Sequence, residues 1–287
     1  VTRLAIPKTY KLYLGGAFPR SESGRTYEVT TPKGGFLANA ALASRKDARD
    51  AVVAARAAFP GWAAATAYNR GQVLYRIAEL LEGRRDQFVE EIAQQTGVSR
   101  AVATREVDQA IDAWVWYAGW ADKYVQAAGN GNPVSGPFFN LSTPEPTGVV
   151  ALIAPQDGPG ASLLGLVSVV APAILSGNAV VVVAHERAPL GAISLSEVLA
   201  TSDVPGGVVN VLTGSPAELA PWLAGHADVN ALDLAGAGGI DWVALQVIAA
   251  DTLKRVLPPV AGVPGPSLDR ILAFTEVKTV WHTKSLR

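Results

Sequence analysis

The sequence predicts an α/β fold built on a doubly wound parallel sheet, with helices packed ahead of it. Three observations carry that prediction. From Thr147 onward, short β-branched runs alternate with longer apolar segments, separated by links of a few residues. The runs are apolar throughout rather than alternating, as strands buried on both faces are. The order strand–helix, repeated four times, is that of a sheet whose parallel strands are joined by helical crossovers.

The elements follow in chain order. Gly148–Pro155 (GVVALIAP) supplies the first strand, and Ala161–Leu175 an apolar helix ended by Ser176, Gly177 and Asn178. Residues 178–184 (NAVVVVA) form the second strand and a helix starts after Pro189. The pairs 208–212 with 216–224, and 230–234 with a last helix of about 240–256, complete the pattern.

Upstream, Tyr10–Leu14 closes on Gly15-Gly16 and Thr26–Thr31 closes on Pro32-Lys33-Gly34-Gly35, so both read as strands ended by turns. A helix begins at Ser44, with Asp47 in the capping-box position. It carries Ala48, Val52, Ala55 and Phe59, and Pro60-Gly61 is expected to stop it. A second helix bears the stripe Val73, Ile77, Leu80, Leu81, Phe88, Ile92 and Ala93. A third, from about Arg105 to Ala128, carries Trp114, Trp116, Tyr117, Trp120 and Tyr124, an aromatic set expected to be packing surface.

After Val256 the rhythm breaks at residues 257–266 (LPPVAGVPGP), a Pro-rich linker. A short helical piece, Ser267–Phe274, leads to an extended run, Thr275–Trp281. Alternation puts Val277, Thr279 and Trp281 on one face and Glu276, Lys278 and Val280 on the other. A lone strand must pair with something.

Composition narrows the function. The 24 Lys plus Arg against 25 Asp plus Glu give a formal charge of −1, which argues against nucleic acid as partner. There is no cysteine among the 287 residues, so disulfides, thiolate metal sites and cysteine nucleophiles are excluded from this chain. His185, His226 and His282 form no ligand pair and are expected to be solvated. The most apolar stretch, Ala161–Leu175, is too short to span a bilayer, and the N-terminal residues do not read as a secretion signal. A cytoplasmic protein without membrane partners is expected.

Six stretches, AVVAARAAFPGWAA (51–64), YAGWADKY (117–124), PTGVVALIAP (146–155), SGNAVVVV (176–183), DVPGGVVNVLTG (203–214) and FTEVKTVWH (274–282), together resemble the aldehyde dehydrogenase superfamily in its own order. The resemblance implies a Rossmann-like nucleotide-binding-type domain over residues 1–256, with an oligomerisation flap of antiparallel strands at about 10–31 and 138–146. Residues 257–266 would then replace the family's catalytic domain, and 267–287 would supply a C-terminal oligomerisation strand.

The same resemblance implies that the chemistry is lost. The family's nucleophile is a cysteine, and this chain has none to supply. Its oxyanion-stabilising Asn, in Pro-Trp-Asn-x-Pro, aligns with Asp157 in Pro155-Gln-Asp-Gly-Pro159, and a carboxylate accepts where donation is needed. Its general-base Glu has no counterpart. Its ribose-binding Lys-Pro-Ser-Glu reads Val183-Ala-His-Glu186, and its Phe-Thr-Gly-Ser reads Leu234-Ala-Gly-Ala237. Glu186, Gly214 and Gly236 are the residual cofactor-binding candidates, with a helix N-terminus after Gly236 still able to attract phosphate. Two lost donors, at roughly 1–3 kcal/mol each, weaken NAD to an optional ligand. No metal or required cofactor is expected.

The expected role is therefore a catalytically inactive subunit, structural or regulatory, of a full-length aldehyde dehydrogenase paralogue. It would engage through the flap and residues Thr275, Glu276, Val277, Lys278, Thr279, Val280 and Trp281. The layout is similar to the second, non-catalytic unit of family-sixteen aldehyde dehydrogenases. Alternatives are an NAD(H)-binding sensor, an enzyme with a new site using Asp157 or Glu186, a homodimer with a different interface, or dehydrogenase activity only within a complex. A terminal strand folded back on its own sheet with every backbone group paired would remove the need for a partner.

Overall fold

The computed structural model describes residues 7–284; residues 1–6 and 285–287, the outermost parts of the two terminal regions delimited above, lie outside the described residues. An antiparallel hairpin comes first, β1 (Thr26–Thr30) with β2 (Phe36–Ala41), forming a two-stranded sheet by itself. Tyr10–Leu14 does not form a flap strand. Tyr13 instead exchanges both backbone hydrogen bonds with Val211, at 3.1 and 2.7 Å, and so covers an outer edge of the main sheet.

Helix α1 (Arg45–Ala64) opens on the expected capping box, with Ser44 Oγ accepting from the Asp47 backbone and Asp47 accepting from the Ser44 N–H. It runs through Pro60 instead of stopping there. Pro60 faces solvent, while Trp62, two residues further on, is buried and donates its indole N–H to Ile174 O at 2.8 Å. That burial outweighs the single helix bond that proline removes.

The long stripe is divided at Arg84, φ −111° and ψ 12°, into α2 (Ala67–Gly83) and α3 (Arg85–Thr96). The bend turns Phe88, Val89 and Ile92 into the core. Helix α4 (Arg100–Trp120) starts earlier than expected because Ser99 caps it, and α5 (Tyr124–Ala128) is a separate turn. Trp114, Tyr117 and Tyr124 are buried packing residues.

A three-stranded antiparallel sheet begins with β3 (Asn130–Gly131) and β4 (Phe138–Pro146). The parallel sheet follows: β5 (Val149–Ile153), α6 (Leu164–Leu175), β6 (Ala179–Val183), α7 (Leu190–Leu199), β7 (Val209–Leu212), α8 (Pro216–Gly225), β8 (Ala231–Asp233), α9 (Trp242–Ala250) and β9 (Arg255–Leu257). Its order is β7-β6-β5-β8-β9, all parallel. Val150, Leu152, Val180 and Val182 face one core with α6 and α7; Val149, Ile153, Val181 and Val183 face the other with α1 and α8. Both faces are covered, as a doubly wound sheet requires.

The last helix is shorter than expected. Leu253 takes a left-handed φ of 53°, the chain reverses, and Arg255–Leu257 joins β8 as a fifth strand. The Pro-rich segment is correspondingly 258–266, without Leu257. Helix α10 (Leu268–Leu272) and β10 (Thr275–Thr283) complete the described chain. Strand β10 pairs antiparallel with β4 over all nine residues, from Thr275 opposite Pro146 to Thr283 opposite Phe138. The sheet order β10-β4-β3 leaves β10 with one paired edge and one open edge. The flap thus unites 138–146 with the terminal strand, while 26–30 lies in the separate hairpin. Among the described residues, no helix is long and apolar enough to cross a membrane.

Candidate functional site

The strand order reverses direction between β5 and β8, so a crevice is expected outside the carboxyl ends of these strands. Its β5–β6 half is an open cavity of about 1010 Å³. The loops after β5 (Gln156–Ser162) and β6 (His185–Ala188) form one wall, the β1 hairpin a second, and the start of α4 with the end of α3 a third.

Gln156 ties the two loops together. Its Nε2 donates to Ala154 O at 2.7 Å and Ala184 O at 3.3 Å, and its Oε1 accepts from the Glu186 N–H at 2.9 Å. Tyr27 donates its hydroxyl to Glu186 O at 3.0 Å. Burial, helped by the Glu186 carboxylate, pushes that phenol well above its usual range, so it stays a donor. The Glu186 side chain is exposed to the cavity with no protein hydrogen-bond or ion-pair partner among the described residues.

His185 is not solvated as expected. Its Nδ1 accepts from Arg187 N at 3.2 Å and Ala188 N at 3.1 Å, so the neutral ring carries its proton on Nε2. Burial lowers its pKa. The ring is a loop-forming element at the cavity wall. His226 likewise accepts from Asp228 N at 3.2 Å.

The helix N-termini around the crevice are already engaged by side chains. Glu106, buried on α4, accepts from Ser162 Oγ at 2.8 Å and from the Leu163 N–H at 2.7 Å at the start of α6. Gln95 Oε1 accepts from the Leu190 N–H at 2.9 Å, at the start of α7. Asp241 accepts from the Ala244 N–H at 3.0 Å and caps α9. The sequence reading missed these three groups. Asp241 had a local signal, an Asp just before an apolar helical run; Glu106 and Gln95 act across the fold and had none.

The β5–β8 half of the crevice is closed by the chain itself. A side chain at Gly236 would land on Ala154 O, and the Gly236 N–H donates to Ile153 O at 2.9 Å. The close approach that the resemblance assigned to a ligand is used by the loop after β5. The 258–266 segment crosses above, with the Val260 N–H donating to Ala235 O at 3.3 Å and Gly262 alongside Gly158. Arg270 pairs with buried Asp233, the last residue of β8, fixing the far end of this strap. Gly214, with φ +130°, lies behind the cavity against Leu42 and Ala43 and does not line it.

These residues fit contacts to ribose hydroxyls at Glu186 but do not fit a diphosphate. The Glu106 carboxylate accepts from the Leu163 amide at the start of α6 and the Asp241 carboxylate from the Ala244 amide at the start of α9, so each of these helix ends already faces a negative charge of the chain itself. Asp157 stands exposed in the same wall. No cluster of three or more potential metal ligands occurs among the described residues.

The seven residues expected at an interface lie together on β10, with one exception in exposure. Thr275 is buried and donates to Leu272 O at 2.9 Å. Glu276 pairs with Arg255 at 2.9 Å and Lys278 with Glu145 at 3.0 Å. Thr279 shares a hydrogen bond with Ser142 at 3.0 Å. Val277, Val280 and Trp281 are exposed, as are Phe139 and Leu141 on β4.

The model of the aldehyde dehydrogenase family matches residues 18–262. "Aldehyde dehydrogenase, cytosolic 1" of Elephantulus edwardii is 31% identical over 263 residues, covering 89% of this chain and 51% of that protein. "Cytosolic 10-formyltetrahydrofolate dehydrogenase" of Mus musculus is 30% identical over 262 residues, covering 89% of this chain and 29% of that protein. Among solved structures, HpcC from Thermus thermophilus is similar with a TM-score of 0.80 and 29% identity, over 89% of this chain and 48% of that one. The chain thus spans about half the length, or less, of these relatives. With the doubly wound sheet, the flap and a family match over most of its length in agreement, the chain belongs to the aldehyde dehydrogenase family.

Proposed function

We propose that this chain is a non-catalytic member of the family that serves as a structural or regulatory subunit of a full-length aldehyde dehydrogenase. The observation that carries the reading is the pairing of an open, apolar-flanked edge on β10 with the absence of a cysteine nucleophile. The covalent step of the family needs a thiolate, and Asp157 would repel the oxyanion that forms in it. Between β9 and β10 the chain has only residues 258–274, arranged as strap and short helix, with no acceptor sheet for a partner's strand.

The self-pairing of β10 with β4 satisfies one edge of the terminal strand, so the strand does not need a partner in order to fold. Its second edge remains a template for strand addition, flanked by Val277, Val280 and Trp281. A complete dehydrogenase would supply the complementary sheet, as the truncated second unit of family-sixteen enzymes finds its complete unit within one polypeptide. The cytosolic relatives make the cytoplasm the proposed compartment.

The test is purification of the chain from its native cell at low stringency, with its companions identified by mass spectrometry. Recovery with a cysteine-bearing aldehyde dehydrogenase supports the reading. Recovery solely as a homo-oligomer or monomer contradicts it.

A further inference from the structure

The helical layer carries a second groove, remote from the crevice and unused by the partner reading. Residues of α2 and α4 line it, with the turn after α4 and the loop between α7 and β7. Its volume, about 860 Å³, falls within the roughly 300–1,000 Å³ of small-molecule sites. Neither the flap nor β10 contributes a residue to it.

The spacing of residues on the two helices builds its walls. Tyr68, Gly71 and Tyr75 share one face of α2, at the offsets that put helical side chains in one row. Val115, Ala118 and Gly119 do the same on α4. A Cβ at Gly71 would come within 3.1 Å of the Ala121 Cβ and 3.2 Å of Ala118 O, so the helices touch there and close the floor. A Cβ at Gly119 would meet nothing within 4 Å, so the groove is open above it.

Tyr68 and Tyr75 are 68% and 52% exposed, which leaves both rings free to contact a ligand. Two helical turns separate their Cα atoms by about 10.5 Å. A cation between the rings therefore lies within about 6 Å of both centroids, the range of cation–π attraction.

The charges of the groove favour the same ligand. Arg76 is matched by Glu79 at 3.3 Å and Lys123 by Asp122 at 2.7 Å. Asp203 is left over, exposed and without an ion pair among the described residues. It holds a left-handed φ of 64° between buried Ser202 and Val204, which pin the turn and keep Asp203 at the surface. An anion meets like charge here. A cation bearing several N–H groups would need further acceptors, whereas an alkylated nitrogen brings no donor to satisfy.

We propose that the α2–α4 groove binds a small organic cation whose charge sits on an alkylated nitrogen, held between Tyr68 and Tyr75 and drawn in by Asp203.

Ligand-observed NMR titration of the full chain at fixed ionic strength tests it, with benzyltrimethylammonium, benzyl alcohol and benzoate as probes. The cation is expected to bind in the low millimolar range or tighter, at least about fivefold better than the alcohol, with benzoate weakest. Tyr75→Leu, at an exposed position, should weaken the cation by about fivefold and leave the alcohol nearly unchanged. Asp203→Asn, which keeps tolerance of the left-handed turn, should weaken the cation by about threefold. Gly119→Leu, whose side chain enters open space, should abolish binding while the thermal midpoint stays the same or rises. Equal affinity for the three probes overturns the proposal. So does an absence of cation binding at about 10 mM, or cation binding indifferent to Tyr75→Leu.

Discussion

Arg270 of α10 forms an ion pair with Asp233 at the carboxyl end of β8, and both side chains are withdrawn from solvent. Asp233 also accepts from the Ala235 N–H at 3.0 Å, so one carboxylate holds the strap and shapes the loop after its own strand. Ile271 and Phe274, which follow Arg270 and are fully buried, continue the attachment. The segment between β9 and β10 is consequently part of the folded body.

Breaking that pair leaves a charge buried alone. Arg270→Met is expected to destabilise the chain by about 3–5 kcal/mol in urea unfolding. Combining it with Asp233→Ala should recover a substantial part of that loss. Equal destabilisation by single and double variants would show that the ion pair is not the anchor.

The capping box at α1 makes a graded prediction. Ser44→Ala removes one acceptor and is expected to cost about 1 kcal/mol. Asp47→Ala should cost more, about 2–4 kcal/mol, because Asp47 also accepts from Ser21 Oγ at 2.8 Å and Glu22 N at 2.9 Å and is buried. Urea midpoints of the two variants check the order.

Gly236→Ala places a methyl group against the Ala154 carbonyl, with backbone on both sides. Overpacking of about 1–3 kcal/mol is expected, with the loop after β5 displaced. A thermal midpoint unchanged from wild type would mean that the two loops separate more readily than the structure implies.

Acid sensitivity should trace to histidine. Burial lowers the pKa of His185 and of His226 below the ordinary value of 6.5, so the folded chain binds fewer protons than the unfolded one. The stability these rings contribute is present above that value and is lost as pH falls through it toward the folded pKa. His185→Asn, which keeps an acceptor for the loop, should flatten the slope of stability against pH below 6.5 by up to about 1.4 kcal/mol per unit. An unchanged slope would place the acid-sensitive groups elsewhere.

Much of the parallel sheet was legible because its strands are continuous apolar runs. Val180–Val183 could hardly be anything else. Strand β9 was not legible, since three residues beside a helix carry no period of their own. Pro60 misled because the burial of Trp62, a tertiary contact, decides whether α1 continues. In the crevice, Glu186 and Asp157 were identified by motif position and do line one cavity. Glu106 and Gln95 were invisible because each caps a helix that begins more than fifty residues away. Gly236 was recognised as a close approach, but what it approaches could be seen only in three dimensions.

The open edge of β10 is proposed to receive a complete dehydrogenase. Val280→Lys with Trp281→Lys alters two exposed positions on that strand, where surface changes ordinarily stay within about 0.5 kcal/mol. Native mass spectrometry of the tagged chain purified from its own cell, in wild-type and doubly substituted forms, measures the consequence directly. A hetero-oligomer with a cysteine-bearing aldehyde dehydrogenase is expected for the wild type, and its loss in the variant at unchanged thermal stability. The wild-type chain recovered alone or only with copies of itself, or a hetero-oligomer untouched by both lysines, would contradict it.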